Sequence, residues 1–326
     1  MSVVRTVLGD VDPADLGVTY AHEHLVIDGG RPVIMEPEFD LHDVDAMAVE
    51  LTDAAQHGLR TVVDAMPCDA GRNVYKLAEL SRRTGVHIVA PTGLHHDRYY
   101  GPAHWSQRIT TDELADLFAR DVTDGIDAYD YAGPVVRRTA HRAGVIKVAG
   151  SAGGLSDRDR RVFEAAAAAH HRTGAPILTH CEHGTGAPEQ IQVLADLGVA
   201  PSNVVLSHLD KVVDRGYHRA VLESGAFAEY DQSFRWPIGV QNGTAQLIAA
   251  MAEDGLADRI VLGMDAARRR YYRVHGGAPG LAWLLDGFTA VLRTAGVDDA
   301  VRHALFVTNP ARAFAFADQQ PRTEER

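Results

Sequence analysis

The sequence predicts an α/β protein folded as a closed (β/α)8 TIM barrel in a single domain covering residues 1–326. Eight short apolar segments, at 18–26, 61–65, 86–91, 145–148, 176–179, 204–207, 226–230 and 259–263, alternate with longer helical patterns. Such alternation favours a parallel sheet covered by helices, and eight repeats favour a sheet closed on itself. No linker-like stretch divides the 326 residues, a length that one barrel can occupy.

The elements follow in order. The first strand carries His22-Glu23-His24. Side chains alternate along a strand, so the two imidazoles share the inner face and Glu23 takes the other. Helical patterns at 43–57 and 73–84 stop at Gly58 and Gly85. After the third strand comes a long segment, 94–108, rich in His, Tyr and Trp, that reads as an active-site loop. Thr110 and Glu113 have capping-box spacing. Lys147 ends the fourth strand, and the glycines that follow it form a tight turn. Ser156 caps a helix running through His171, with His170 and His171 at its surface or end. His180, His208 and Asp265 come directly after the fifth, sixth and eighth strand cores. Asn309 and Pro310 read as a cap and first turn for a last helix at 311–316, and the tail from 319 is polar and frayed.

Composition narrows the function. A formal net charge of −12 argues against a nucleic-acid binder. No apolar run is long enough for a membrane span. The start of the chain lacks signal-peptide character, and the two cysteines, Cys68 and Cys181, form no disulfide framework. The expectation is a cytoplasmic protein acting on a small molecule.

Lys147 sits in an otherwise apolar strand, in a chain whose other lysines are only Lys76 and Lys211. A charged lysine is rarely buried without a partner. It therefore either faces a polar cavity or loses its charge by covalent modification, and an N-carboxylated lysine is an oxygen donor that can bridge two metal ions. The remaining donors stand at the C-terminal strand ends, where barrels of this kind build active sites. His22, His24 and Asp265 would hold one divalent ion, and His180 and His208 a second. Carboxylated Lys147 and a hydroxide would bridge the pair, generating a nucleophile at neutral pH. Asp265 would serve as ligand and general base.

The set His22-X-His24, Lys147, His180, His208 and Asp265, with Leu8-Gly9, the run from Gly17 to His24 and the closing Asn309-Pro310-Ala311-Arg312, resembles the phosphotriesterase family of the amidohydrolase superfamily. The resemblance spans nearly the whole chain. It implies a binuclear centre, most often zinc, with cobalt, manganese or iron as alternatives. It also implies a carbon dioxide-derived carbamate on Lys147, a homodimer, and hydrolysis of a lactone, carboxylic ester or N-acyl amide. A true organophosphate phosphotriesterase is the second reading, and a catalytically inactive binding barrel a remote third. Lactonases of the family often have a tyrosine where this chain has His95, with Tyr99 and Tyr100 further on. His95 either donates a hydrogen bond at the metal site or caps the loop.

Substrate candidates come from the loops. Arginine forks recognise carboxylate or phosphate, and Arg268 and Arg269 directly follow the Asp265 segment. Arg235 and Trp236 follow the seventh strand. With His95 and Tyr99, they form the expected substrate-binding set for an anionic small molecule.

Overall fold

The structure, a computed structural model, describes residues 2–239 and 241–317. The polar tail from 319 lies outside the described residues. A hairpin absent from the sequence-based expectation comes first: β1 (Val4–Thr6) pairs antiparallel with β2 (Gly9–Val11). The barrel then runs through β3 (Thr19–Glu23), β4 (Thr61–Asp64), β5 (His87–Val89), β6 (Pro91–Gly93), β7 (Val145–Gly150), β8 (Ile177–Cys181), β9 (Val204–Ser207), β10 (Phe227–Tyr230) and β11 (Ile260–Leu262).

Neighbouring strands are parallel, in the orders β3-β4-β5 and β6-β7-β8-β9-β10-β11. β5 and β6 are one strand interrupted at Ala90, because Pro91 has no N–H to give the ladder. The described residues thus hold the eight expected barrel strands. Closure comes from the N–H groups of Met264 and Asp265, which reach the His22 carbonyl at 3.3 and 3.0 Å.

The lower barrel is filled by Ala21, Val63, Val89, Val145, Leu178, Val205, Phe227 and Val261. Val4 and Leu16 from the N-terminal segment and Phe314 from the C-terminal one complete this cluster. The first and last described segments meet here, with the Phe316 N–H on the Val3 carbonyl at 2.8 Å. On β3 the register against β4 shifts between Tyr20 and Glu23. Such a bulge lets successive residues face the same side. Ala21 fills the apolar layer while His22 enters the polar layer above it.

The outer ring comprises α1 (Gly30–Met35), α2 (Val44–Gln56), α3 (Val74–Thr84), α4 (Thr111–Thr123), α5 (Asp157–Thr173), α6 (Ala187–Asp196), α7 (Arg215–Glu223), α8 (Gly243–Glu253), α9 (Gly287–Thr294), α10 (Asp299–His303) and α11 (Asn309–Ala313). Both halves of the capping box at Thr110 and Glu113 are made, and Ser156 caps α5 reciprocally with Asp159. Two expectations need correction. Asn309 is not an N-cap: a π-helical turn, Ala304–Thr308, leads straight into α11. The Asn309 amide instead donates to the carbonyls of Ala257 and Ile260. His170 stands in the last turn of α5, at the expected helix end, but is buried rather than at the surface, with its Nδ1 2.8 Å from the Ala175 carbonyl.

Residues 124–144 form a long connection between α4 and β7, pinned by Asp121. This buried carboxylate accepts from Arg72 at 3.1 Å, Arg138 at 2.6 Å, Tyr131 at 2.5 Å and Thr92 at 2.9 Å. Removing one partner of a buried ion pair strands the other charge. Asp121→Ala is therefore expected to lower stability by about 3–5 kcal/mol in a denaturant titration.

Candidate active site at the strand ends

The six ligand-type residues gather at the C-terminal mouth of the barrel. His24 Nε2 lies 3.2 Å and His22 Nε2 3.8 Å from Asp265 Oδ1. His180 Nδ1 and His208 Nε2 are 2.8 Å apart. The His208 ring packs against those of His22 and His180, with centroids 4.8 and 4.4 Å apart. Burial keeps His22, His180 and His208 below the ordinary imidazole pKa, so their rings are neutral and offer lone pairs.

Lys147 is fully buried among these groups, and its Nζ has no hydrogen-bond partner. Burial pushes its ammonium down to about 8, against the pull of Glu229, Asp265 and Asp231. β6 packs tightly beside it. A Cβ on Gly93, whose φ is 98°, would stand 1.8 Å from the Lys147 carbonyl oxygen, so only glycine fits there.

His208 and Asp265 leave their strands at φ 68° and 47°. Left-handed backbone is costly for residues with a Cβ and gathers at functional sites. For Asp265 the surroundings enforce it: Arg235 donates to the carbonyls of Asp231, Met264 and Asp265 at 2.8, 3.0 and 2.9 Å. Burial opposes ionisation of Asp265, but the His24 hydrogen bond and the nearby Arg235 guanidinium hold its carboxyl well below the usual range.

Three carboxylates that sequence reasoning did not single out stand behind the histidines. Asp231 Oδ2 meets His208 Nδ1 at 2.5 Å. Glu229 Oε2 lies 3.4 Å from His22 Nδ1, beside the Ser207 hydroxyl at 3.0 Å. Glu182 Oε2 meets His180 Nε2 at 2.6 Å. Carboxylates in such positions orient histidine ligands and fix their tautomers. Glu229 and Asp231 are two apart at the end of β10, an inward spacing that the reading of the seventh strand could have caught.

The donor set suits a divalent metal. His22, His24 and Asp265 offer ligand atoms within one ion's reach, as do His22, His208, Glu229 and Asp231. Mixed imidazole and carboxylate ligation fits zinc and its first-row neighbours. The orphaned Lys147 Nζ and the unpartnered Glu229 Oε1 are buried polar atoms that need a further partner.

A cavity of about 190 Å³ opens above these residues, lined also by His95, Arg98, Tyr99, Glu182, Lys211 and Arg268. His95 accepts the His96 N–H on Nδ1 at 2.7 Å, which leaves the ring proton on Nε2. Its ring lies 4.9 Å from that of His180 and 4.7 Å from that of Tyr99. Arg268 reaches the cavity wall with its guanidinium forked onto Glu36 at 2.7 and 3.1 Å. The other loop residues lie elsewhere. Arg235 is committed to backbone carbonyls, Trp236 packs against Gly243 at the start of α8, and Arg269 is exposed in a 3-10 turn outside the cavity lining. Trp105 ties the 94–108 loop down through Asp69 at 2.8 Å. Burial raises the pKa of both cysteine thiols, so neither is an activated nucleophile.

A barrel with histidines, a lysine and an aspartate converging at its strand ends defines the class of amidohydrolase-type enzymes. Residues 2–314 match the model of the phosphotriesterase family. The chain belongs to that family. It is 32% identical over 326 residues to a phospho-furanose lactonase of Mycoplasmopsis synoviae strain 53, covering 97% of this chain and 92% of that protein. An amidohydrolase structure from Mycoplasma synoviae superposes with a TM-score of 0.92 at 32% identity, covering 98% of this chain and 93% of that one. A lactonase from Listeria monocytogenes gives 0.88 at 28% identity, over 97% of this chain and 100% of that one.

Proposed function

We propose that this protein is a metal-dependent lactonase acting on a small lactone that bears an anionic group, such as a phosphorylated furanose lactone. The observation that carries the reading is Lys147: a buried amine with no partner, beside neutral imidazoles and Asp265, under a cavity with a cationic rim. His22, His24 and Asp265 would hold one ion and His180 and His208 the other, with Lys147 joining them as a carbamate. Bound divalent ions supply Lewis-acid polarisation of the scissile carbonyl and lower the pKa of water.

The chain's own groups do the rest. Asp265, ionised and facing His24, accepts the proton of the attacking water and returns it to the leaving alkoxide as the ring opens. Nε2 of His95 donates toward the cavity. Of the cavity cations, Arg268 is paired with Glu36 and Arg98 faces Glu182 at 3.4 Å, whereas Lys211 has no carboxylate within 4 Å among the described residues. Lys211 is thus the cation most available to a substrate anion. The name of the Mycoplasmopsis synoviae relative supports the same substrate class.

The test is a side-by-side comparison of kcat/KM for a phosphorylated furanose lactone, its neutral counterpart, an aryl ester, an N-acyl amino acid and a paraoxon-type triester, with zinc, cobalt or manganese supplied. The phosphorylated lactone is expected to lead. A lead of orders of magnitude for the triester would overturn the reading. Lys211→Ala is expected to raise KM for the phosphorylated lactone about tenfold or more, the worth of one charge-assisted hydrogen bond. The neutral lactone should be processed unchanged. An equal effect on both substrates would remove Lys211 from anion recognition.

A further inference from the structure

Glu182 stands two residues beyond His180, outside the six ligand-type positions. Its Oε2 lies 2.6 Å from His180 Nε2 and 3.1 Å from His96 Nε2, and its Oε1 faces Arg98 at 3.4 Å. His180 and Glu182 come from the end of β8, whereas His96 and Arg98 belong to the loop after β6. One carboxylate therefore bridges two loops across β7, the strand that carries Lys147. The turn is specific: His183, directly after Glu182, adopts φ 57°. The contact is also sheltered, with side-chain exposures of 16% for Glu182 and 9% for both histidines, so it is not a screened surface pair.

We infer that Glu182 is a positioning residue with two roles: it fixes the orientation of His180, and it latches the 94–108 loop over the cavity. By accepting the proton on His180 Nε2, it commits that ring to present the Nδ1 lone pair beside His208 Nε2, 2.8 Å away. Through His96 and Arg98 the same carboxylate holds the loop that brings His95 and Tyr99 to the cavity wall. Ligand geometry and loop closure are thereby joined at one group. The separations to the imidazole nitrogens are those of hydrogen bonds. This role rests on the metal-dependent reading above.

The test loads the wild type and the variants Glu182→Gln, Glu182→Asp and His96→Gln with zinc alone. Metal content is measured by mass spectrometry and zinc release by a chromophoric chelator, followed by kcat and KM for each. Glu182→Gln is expected to release one of two ions roughly 10- to 100-fold faster than wild type, the usual effect of losing a partner of a histidine ligand. Glu182→Asp should recover part of that loss. His96→Gln should leave zinc release unchanged and raise KM, because only the loop latch is cut. Metal-free melting curves that match the wild type would locate these effects in the site rather than in folding.

Wild-type zinc release retained in Glu182→Gln would overturn the positioning role while leaving the metal-dependent reading intact. Three ions in the wild type and two in Glu182→Gln would also overturn it, making Glu182 a ligand in its own right. A wild type that binds no metal would remove the metal-dependent reading and this role together.

Discussion

Lys147→Ala is expected to hold at most one metal ion per chain and to lose about a thousandfold in kcat/KM, equivalent to roughly 4 kcal/mol at the barrier. The expectation rests on the lysine's position. Its Nζ is fully buried, has no hydrogen-bond partner and is pushed toward the neutral amine by its surroundings. An unpaired buried amine costs stability, so its retention calls for a function. Two companion results would strengthen the case. Short-chain carboxylates, which can stand in for the missing oxygen donor, should restore part of the activity of Lys147→Ala. Lys147→Met should melt, metal-free, at the wild-type temperature or above, since an orphaned polar group costing about 1–3 kcal/mol gives way to an apolar chain of similar length. Two ions and full turnover in Lys147→Ala would end the bridging assignment.

Asp265→Asn is expected to lower kcat by about 10²- to 10⁴-fold, the range for loss of a positioned general base. The amide nearly matches the carboxylate in shape, and the backbone that aims it is held independently by Arg235 and by the His22 carbonyl. The side chain should therefore stay in place while losing its ability to take a proton. KM is expected to change far less than kcat. A rise in KM with kcat unchanged would mean that Asp265 binds substrate rather than moving a proton. Metal content measured on the same sample separates this effect from loss of an ion.

The barrel was legible because strand and helix periods alternate eight times, and the strand ends were legible because a polar residue after an apolar run is conspicuous. Lys147 was the clearest signal of all, a charge inside an apolar run, although it lies in the middle of β7 rather than at the strand's end. Other features depend on geometry that no local pattern carries. The bulge on β3 that brings Ala21 and His22 to the same side arises from pairing with β4. Asn309 has the look of a helix cap, yet a π-helical turn runs straight into it and its amide donates instead to the Ala257 and Ile260 carbonyls. The carboxylates were missed for different reasons: the two-residue spacing of Glu229 and Asp231 at the end of β10 was legible but overlooked, whereas only the folded distance to His180 distinguishes Glu182. Arg235 illustrates the converse. A guanidinium beside a pocket reads as a substrate fork, but here nearby carbonyls take its donors and it braces the backbone of Asp265.

The meeting of the Val3 and Phe316 segments beneath the barrel has a practical consequence. Val3 and Phe316 are joined by backbone hydrogen bonding on the face opposite the cavity, away from the residues that line it. Proteins with adjacent termini tolerate circular permutation. A short peptide joining Phe316 to Val3, with a new opening cut in an exposed turn on that same lower face, should yield a rewired enzyme with its catalytic mouth undisturbed.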